Sequence, residues 1–147
     1  MSVQLTEQAF NPWQILQTHE SQLEARYGKG HWGAASHFIG TMRDLNEGDS
    51  VQAMFLEHYP GMTESYLKKI SDEALQRWDI LDTLILHRVG TILPGENIVL
   101  VAAWASHRGP AFDACRYLIE ELKHRAPFWK RETLPDQARW VSENTPA

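Results

Sequence analysis

"ILDTLILHRVGTILPGENIVLVAAWAS", residues 80–106, carries two β-rich runs on either side of "TILPGE". Val, Ile and Thr pack well on a pleated surface, and Pro94-Gly95 punctuates a turn. The stretch therefore predicts two paired strands. Beyond it, "GPAFDACRYLIEELKHR" (109–125) predicts a helix that Pro127 stops. Before it, "TESYLKKISDEALQRW" (63–78) has helical spacing of Tyr66, Leu67, Ile70, Ala74 and Trp78, with Thr63 as cap. "HWGAASHFIGTMRD" (31–44) predicts a strand ending in a glycine-containing bend, "DLNEGDS" (44–50) a polar turn, and "SVQAMFLEHYP" (50–60) that strand's partner. Near the start, Asn11 as N-cap, Pro12 at the first helical position and Gly28 as stop predict a helix over 12–26. Strands, a helix, paired strands and a helix make an α+β chain with a mainly antiparallel sheet.

The 147 residues, without repeats or linkers, are expected to form a single domain over 1–147. With 43% hydrophobic and 22% charged residues the chain reads as globular rather than disordered. No apolar run approaches the roughly 20 residues of a membrane span, and "MSVQLTEQAF" lacks the basic and apolar regions of a leader. A cytoplasmic location and no membrane partner are expected. The one cysteine, Cys115, excludes an internal disulfide and a Cys-rich zinc site, and seven His residues form no HExxH, so no metal and no cofactor are expected.

A net charge of −5 argues against nucleic acid as a partner. That charge is uneven. Residues 1–87 hold 6 Lys/Arg against 12 Asp/Glu, and residues 88–147 hold 8 against 7, so the halves carry −6 and +1. Cations gathered late in an acidic chain suit a small anionic ligand. They are densest in "LKHRAPFWKRE" (122–132), where Lys123, Arg125, Lys130 and Arg131 flank Phe128 and Trp129.

At about 100° per residue from Phe112, Cys115 falls at about 300°, Leu118 at 240°, Ile119 at 340° and Leu122 at 280°. These positions predict the buried stripe of the third helix. Lys123, at about 20°, lies at the stripe's edge with Arg116, whereas Glu121, at about 180°, points away. A lysine there either snorkels its ammonium to water or has its pKa lowered by desolvation and does chemistry. Periodicity does not choose. Cys115 reads as an inert core thiol, so sulfur chemistry would need an outside donor.

Two further groups are candidates. His107 and Arg108 end a strand and open a helix, where backbone amides and a guanidinium form an anion seat. In "FIGTMR" (38–43), Gly40 marks a bulge or close backbone approach that leaves Arg43 at a pocket rim. Nucleophile elbows, Walker loops and GxGxxG patterns are absent.

"HRVGTILPGE", "SHRGPAF" and "LKHRAPFWKRE", in this order and with these gaps, together with "GDSVQAMFLEHYPGM", resemble the large, catalytic subunit family of molybdopterin synthase over Phe38–Trp140. The resemblance implies an α/β hammerhead-like fold with an additional antiparallel β-sheet. It also implies transfer of sulfur to a cyclic pyranopterin monophosphate, forming the dithiolene of molybdopterin. The sulfur would come from the C-terminal Gly-Gly thiocarboxylate of a small ubiquitin-like subunit, and the resemblance further implies a homodimer of large subunits within a heterotetramer. By the same resemblance, Lys123 and Lys130 are catalytic. Substrate contacts fall to Phe38, to Thr41, Met42 and Arg43, to His107 and Arg108, and to Lys123, Lys130, Arg131 and Glu132, with His107 a candidate proton carrier. The chain departs from the family pattern at Trp104, Gly109-Pro110 and Ile119, which bear on pocket shape and on the start of the helix. The alternative is a non-catalytic module that binds a partner's extended C-terminal tail.

Overall fold

The computed structural model describes residues 1–142 and Pro146. In chain order the elements are β1 (Ser2–Thr6), α1 (Pro12–Tyr27), β2 (Ala34–Thr41), β3 (Leu45–Asn46), β4 (Asp49–Ser50), β5 (Ala53–His58) and α2 (Met62–Arg77). They continue as β6 (Ile80–Arg88), β7 (Gly90–Ile92), β8 (Asn97–Ala105), α3 (Arg108–Arg125), β9 (Phe128–Thr133) and β10 (Ala138–Val141).

The predicted pair is β6 and β8, antiparallel at the centre of a four-stranded sheet ordered β1-β6-β8-β2. β1 joins β6 in parallel and β2 joins β8 antiparallel. Residues from Asp82 to Arg88 and from Val99 to Ala105 are buried without a break, because helices cover both faces and neither side of the strands meets water. On one face Leu84, Leu86, Leu100, Ala102 and Trp104 pack against Leu23 of α1. On the other, Ile85, Val99, Val101 and Ala103 meet Leu67, Ile70 and Ala74 of α2 and Ala114, Cys115, Leu118 and Leu122 of α3.

The caps of α1 are as expected: Asn11 accepts hydrogen bonds from the amides of Trp13 and Gln14, and Gly28 closes the helix at φ 91°. Thr63 does not cap α2. Gly61 does, and Thr63 is fully buried, donating to the Pro127 carbonyl at 3.1 Å and accepting from the Tyr59 amide at 3.0 Å. The hydroxyl thus ties α2 to the segment after α3. In α3 the small Ala111 and Ala114 centre the buried stripe on the Cys115–Leu118–Leu122 side, so Phe112 lies outside it, 60% exposed. Glu121 does not face solvent: α2 packs on that flank, and Glu121 accepts from the Tyr66 hydroxyl at 3.2 Å.

A second sheet, ordered β10-β9-β5-β7, is antiparallel throughout. Here one expected pairing is corrected: β5 does not pair with β2. Glu47 and Gly48, at φ 52° and 80°, close only the two-residue ribbon β3–β4, a hairpin turn that both positive angles favour. The chain then leaves the first sheet, and β5 finds partners in β7 and β9. "TILPGE" is likewise not all turn, since Gly90–Ile92 is the edge strand β7. Met42, Val51, Met54, Leu56, Val89, Ile92 and Leu134 form the core of this second layer. The architecture is α+β, with the additional antiparallel sheet that the resemblance implies.

Candidate active site at the junction of the two sheets

α3 carries Lys123 in its last turn, and after Pro127 the chain re-enters as β9. Alternation along β9 sets Phe128, Lys130 and Glu132 on the inner face and Trp129, Arg131 and Thr133 on the outer. The two lysines therefore converge although six residues lie between them.

They stand between two adjoining cavities. The larger, about 440 Å³, is walled by Phe38–Arg43 at the end of β2, by Leu45 and Asn46 of the ribbon, and by Met54 and Glu132. The smaller, about 360 Å³, is lined by Leu56, His87, Leu122, Phe128, Trp129 and Ser142 among others. Lys123, Lys130, Ile98 and Val141 belong to both.

Burial, and then the like charge of Lys130, lowers the Lys123 pKa from 10.5 to about 8. Burial also lowers Lys130, opposed by its contact with Lys123 and by the negative charge of Glu132. Lys123 thus lines the cavities rather than the free solvent face of α3.

Glu132, 4% exposed, accepts from Asn46 Nδ2 at 2.8 Å and Arg139 Nε at 3.4 Å. Arg139 also binds Asp49 at 2.7 Å and the Asn46 carbonyl at 3.0 Å. One buried carboxylate thus joins β9, β10 and the β3–β4 ribbon behind the larger cavity. The opposite wall is fixed by backbone: the Met42 amide donates to the Glu96 carbonyl at 2.9 Å, and the Gly95 amide donates to the Met42 carbonyl at 2.8 Å. The register of β2 on β8 shifts between Gly40 and Thr41. A Cβ at Gly40 would stand 2.8 Å from Val99 Cγ1. Both features expected of Gly40, a bulge and a close approach, are present, and Arg43 reaches the cavity rim.

Of the residues the sequence singles out, Phe38, Thr41, Met42, Arg43, Lys123, Lys130 and Glu132 line the larger cavity. Arg131 does not. It lies on the outer face of β9, over the rings of Phe55 and Trp140 at 5.6 and 5.8 Å. His107 and Arg108 are exposed at the opposite end of α3. Arg108 is fifteen residues from Lys123 on one helix, about 22 Å at about 1.5 Å per residue. Within one chain the three cationic positions 108, 123 and 130 do not share a cavity. Trp104 does not shape the site either: it faces α1, stacks on His19 at 4.7 Å and donates to Glu20 at 2.8 Å.

His87 is the residue sequence reasoning passed over. Its ring is buried, stacks on Phe128 at 4.2 Å and lines the smaller cavity with both lysines. A histidine inside an otherwise apolar central strand was the available signal. Cys115 is buried and its thiol pushed up by that burial, as expected of an inert core residue. Among the described residues no cluster of His, Cys, Asp and Glu could hold a metal ion, and no helix is long and apolar enough to cross a membrane.

Residues 7–125 match the sequence profile of the MoaE protein family. The molybdopterin synthase catalytic subunit of Ralstonia nicotianae is 53% identical over 79% of this chain and 66% of its own length. That of Pseudomonas aeruginosa is 47% identical over 96% of this chain and 90% of its own length. The solved MoaE protein of Burkholderia ambifaria superposes with a TM-score of 0.78 at 46% identity, covering 99% of this chain and 92% of that one. A complex of subunits 1 and 2 of the molybdopterin-converting factor of Helicobacter pylori shares the fold, with a TM-score of 0.79 at 20% identity over 96% and 90% of the two chains. With a matching profile over most of its length and relatives near 50% identity, the chain belongs to the MoaE protein family, the family of molybdopterin synthase catalytic subunits.

Proposed function

We propose that this chain is the catalytic subunit of molybdopterin synthase, a sulfurtransferase of molybdenum cofactor biosynthesis. It carries sulfur from the thiocarboxylate tail of a small ubiquitin-like subunit to a cyclic pyranopterin monophosphate. One observation carries the reading: Lys123 and Lys130 stand between two adjoining cavities, so two separate anionic reactants can meet across them. Both the phosphate and the thiocarboxylate are negative, and paired ammonium groups at close range offset their repulsion.

The larger cavity, with Phe38 for stacking and Arg43 at its rim, suits the pterin phosphate. The smaller, bounded by Phe128, Trp129 and Ser142, suits an extended Gly-Gly tail. The thiocarboxylate sulfur bonds to a side-chain carbon of the pterin as an oxygen substituent leaves that carbon as water, giving a thioester to the tail. Water then adds to the thioester carbonyl, the Lys123 ammonium holds the oxyanion that develops there, and the tail departs as a carboxylate with the sulfur kept on the pterin. Lys130 neutralises the phosphate. An amine with a pKa of about 8 is also placed to give and regain a proton near neutral pH. His107 and Arg108 reach such a substrate only from a second copy of the chain, which accords with the homodimer at the centre of a heterotetramer that the family resemblance implies. Arg131, on the outer face, serves the sheet surface rather than the pterin. A single buried free thiol fits a cytoplasmic setting.

The test combines the purified chain with a thiocarboxylated small subunit and the cyclic pterin phosphate. Dithiolene product is expected, and Lys123→Ala is expected to lose at least about a hundredfold in rate. Near-normal turnover by that variant would end the assignment. Tail binding without product in the unmodified protein would favour the non-catalytic module.

A further inference from the structure

His87 is the penultimate residue of β6 and is 3% exposed. Its Nδ1 stands 2.6 Å from the Arg88 carbonyl oxygen. A carbonyl only accepts, so Nδ1 carries the proton and Nε2 keeps a bare lone pair. With the ring stacked on Phe128 at 4.2 Å and 19°, two contacts fix its orientation. With Nδ1 engaged by the Arg88 carbonyl, Nε2 is the ring nitrogen left without a hydrogen-bond partner among the described residues, and His87 lines one cavity together with Lys123 and Lys130.

Burial holds the imidazole down to about 3, against the pull of the Arg88 carbonyl, and both lysine charges push the same way as burial. The ring therefore stays neutral beside two ammonium groups. It adds no third positive charge and has no proton to donate from Nε2.

Resting on the reading of the site given above, we propose that His87 is a positioning residue. Its Nε2 lone pair accepts a hydrogen bond from a lysine ammonium of the site, directing that group's remaining N–H donors toward the anionic reactants. A desolvated ammonium has three donors to place, and an acceptor on a rigid ring sets its direction without neutralising it. The role differs from a merely structural one, which would need only the bond between Nδ1 and the Arg88 carbonyl.

Three variants separate the two roles. His87→Gln carries an acceptor oxygen at the reach of Nε2, His87→Asn a donor amide at the reach of Nδ1, and His87→Phe keeps the stack with neither. In single-turnover sulfur transfer, Gln is expected to stay within about threefold of the parent. Asn and Phe are expected to lose about tenfold or more in kcat with KM little changed. Recovery by Asn but not by Gln, or three parent-like variants, would overturn the proposal. Should Phe fail to fold, the Gln and Asn pair still decides. Long-range proton–nitrogen correlation spectra of the unmodified, histidine-labelled protein give a readout independent of activity. The Nδ1–H tautomer of His87 at neutral pH is expected, and an Nε2–H tautomer or an imidazolium would overturn the geometry. Absence of dithiolene product from the unmodified protein would sink the reading of the site, and the tautomer would still decide the orientation of His87.

Discussion

Replacing Lys123 by Met is expected to make the protein more stable and inactive. The two side chains have similar length, so Met fills most of the space of the lysine stem while removing the buried ammonium. The magnitude follows from the displaced pKa. Moving an amine from 10.5 to about 8 disfavours its charged form by about 3 kcal/mol, at about 1.4 kcal/mol per decade. That is an upper bound, because cavity water screens part of the charge. Below about 8 the amine is charged in both folded and unfolded chains, and the folded state bears the full penalty. Between about 8 and 10.5 the unfolded chain holds the proton that the folded one has lost, so the parent gains stability as pH rises. Above 10.5 the penalty is gone. The advantage of Lys123→Met is therefore largest at neutral pH and disappears in strong alkali. Thermal unfolding at fixed protein concentration, across pH, measures it, with a rise of about 5–10 °C expected near neutrality. A Met variant less stable than the parent at neutral pH, or a gain that persists undiminished in alkali, would refute the account of Lys123 as a desolvated ammonium.

Gly40→Ala brings a Cβ within 2.8 Å of Val99 Cγ1 and 3.3 Å of Phe38 Cε1. Val99 is fully buried and stiff at χ1, so β2 has to shift. A loss of about 1–3 kcal/mol in urea unfolding is expected, with weaker binding of the pterin phosphate. Trp104→Phe removes the bond to Glu20 and part of a core ring. It is expected to cost about 1–3 kcal/mol in the same assay while leaving sulfur transfer per folded molecule unchanged, since Trp104 faces away from the cavities. Arg131→Ala is expected to leave the pterin affinity within about threefold of the parent, as isothermal titration would show. A large loss would bring that guanidinium into the site.

The strands at 80–88 and 97–105, the three helices and the cationic character of 122–132 were all legible in the amino-acid sequence. Each rests on a local rule: unbroken apolar runs for strands covered on both faces, caps and 3.6-residue spacing for helices, and charge counted along the chain. The buried thiol and the bulge at Gly40 were legible for the same reason. The partners of β5, the strands β9 and β10 that complete the second sheet, and the true role of Thr63 were not. Apart from the local pairing of β9 with β10, they depend on residues tens of positions away, and no local pattern encodes which distant edge a strand will find.

The site divides along the same line. By itself the sequence determined that Lys123 sits at the edge of a buried helical stripe and that cations concentrate around it. Only the tertiary structure decided what that edge faces. It joined Lys123 to Lys130 through the return of β9, set His87 on a cavity that both line, turned Arg131 outward and left Arg108 at the far end of α3. The reason is geometric: helix and strand periodicity fix which way a side chain leaves its own element, whereas a cavity exists only where separate elements meet.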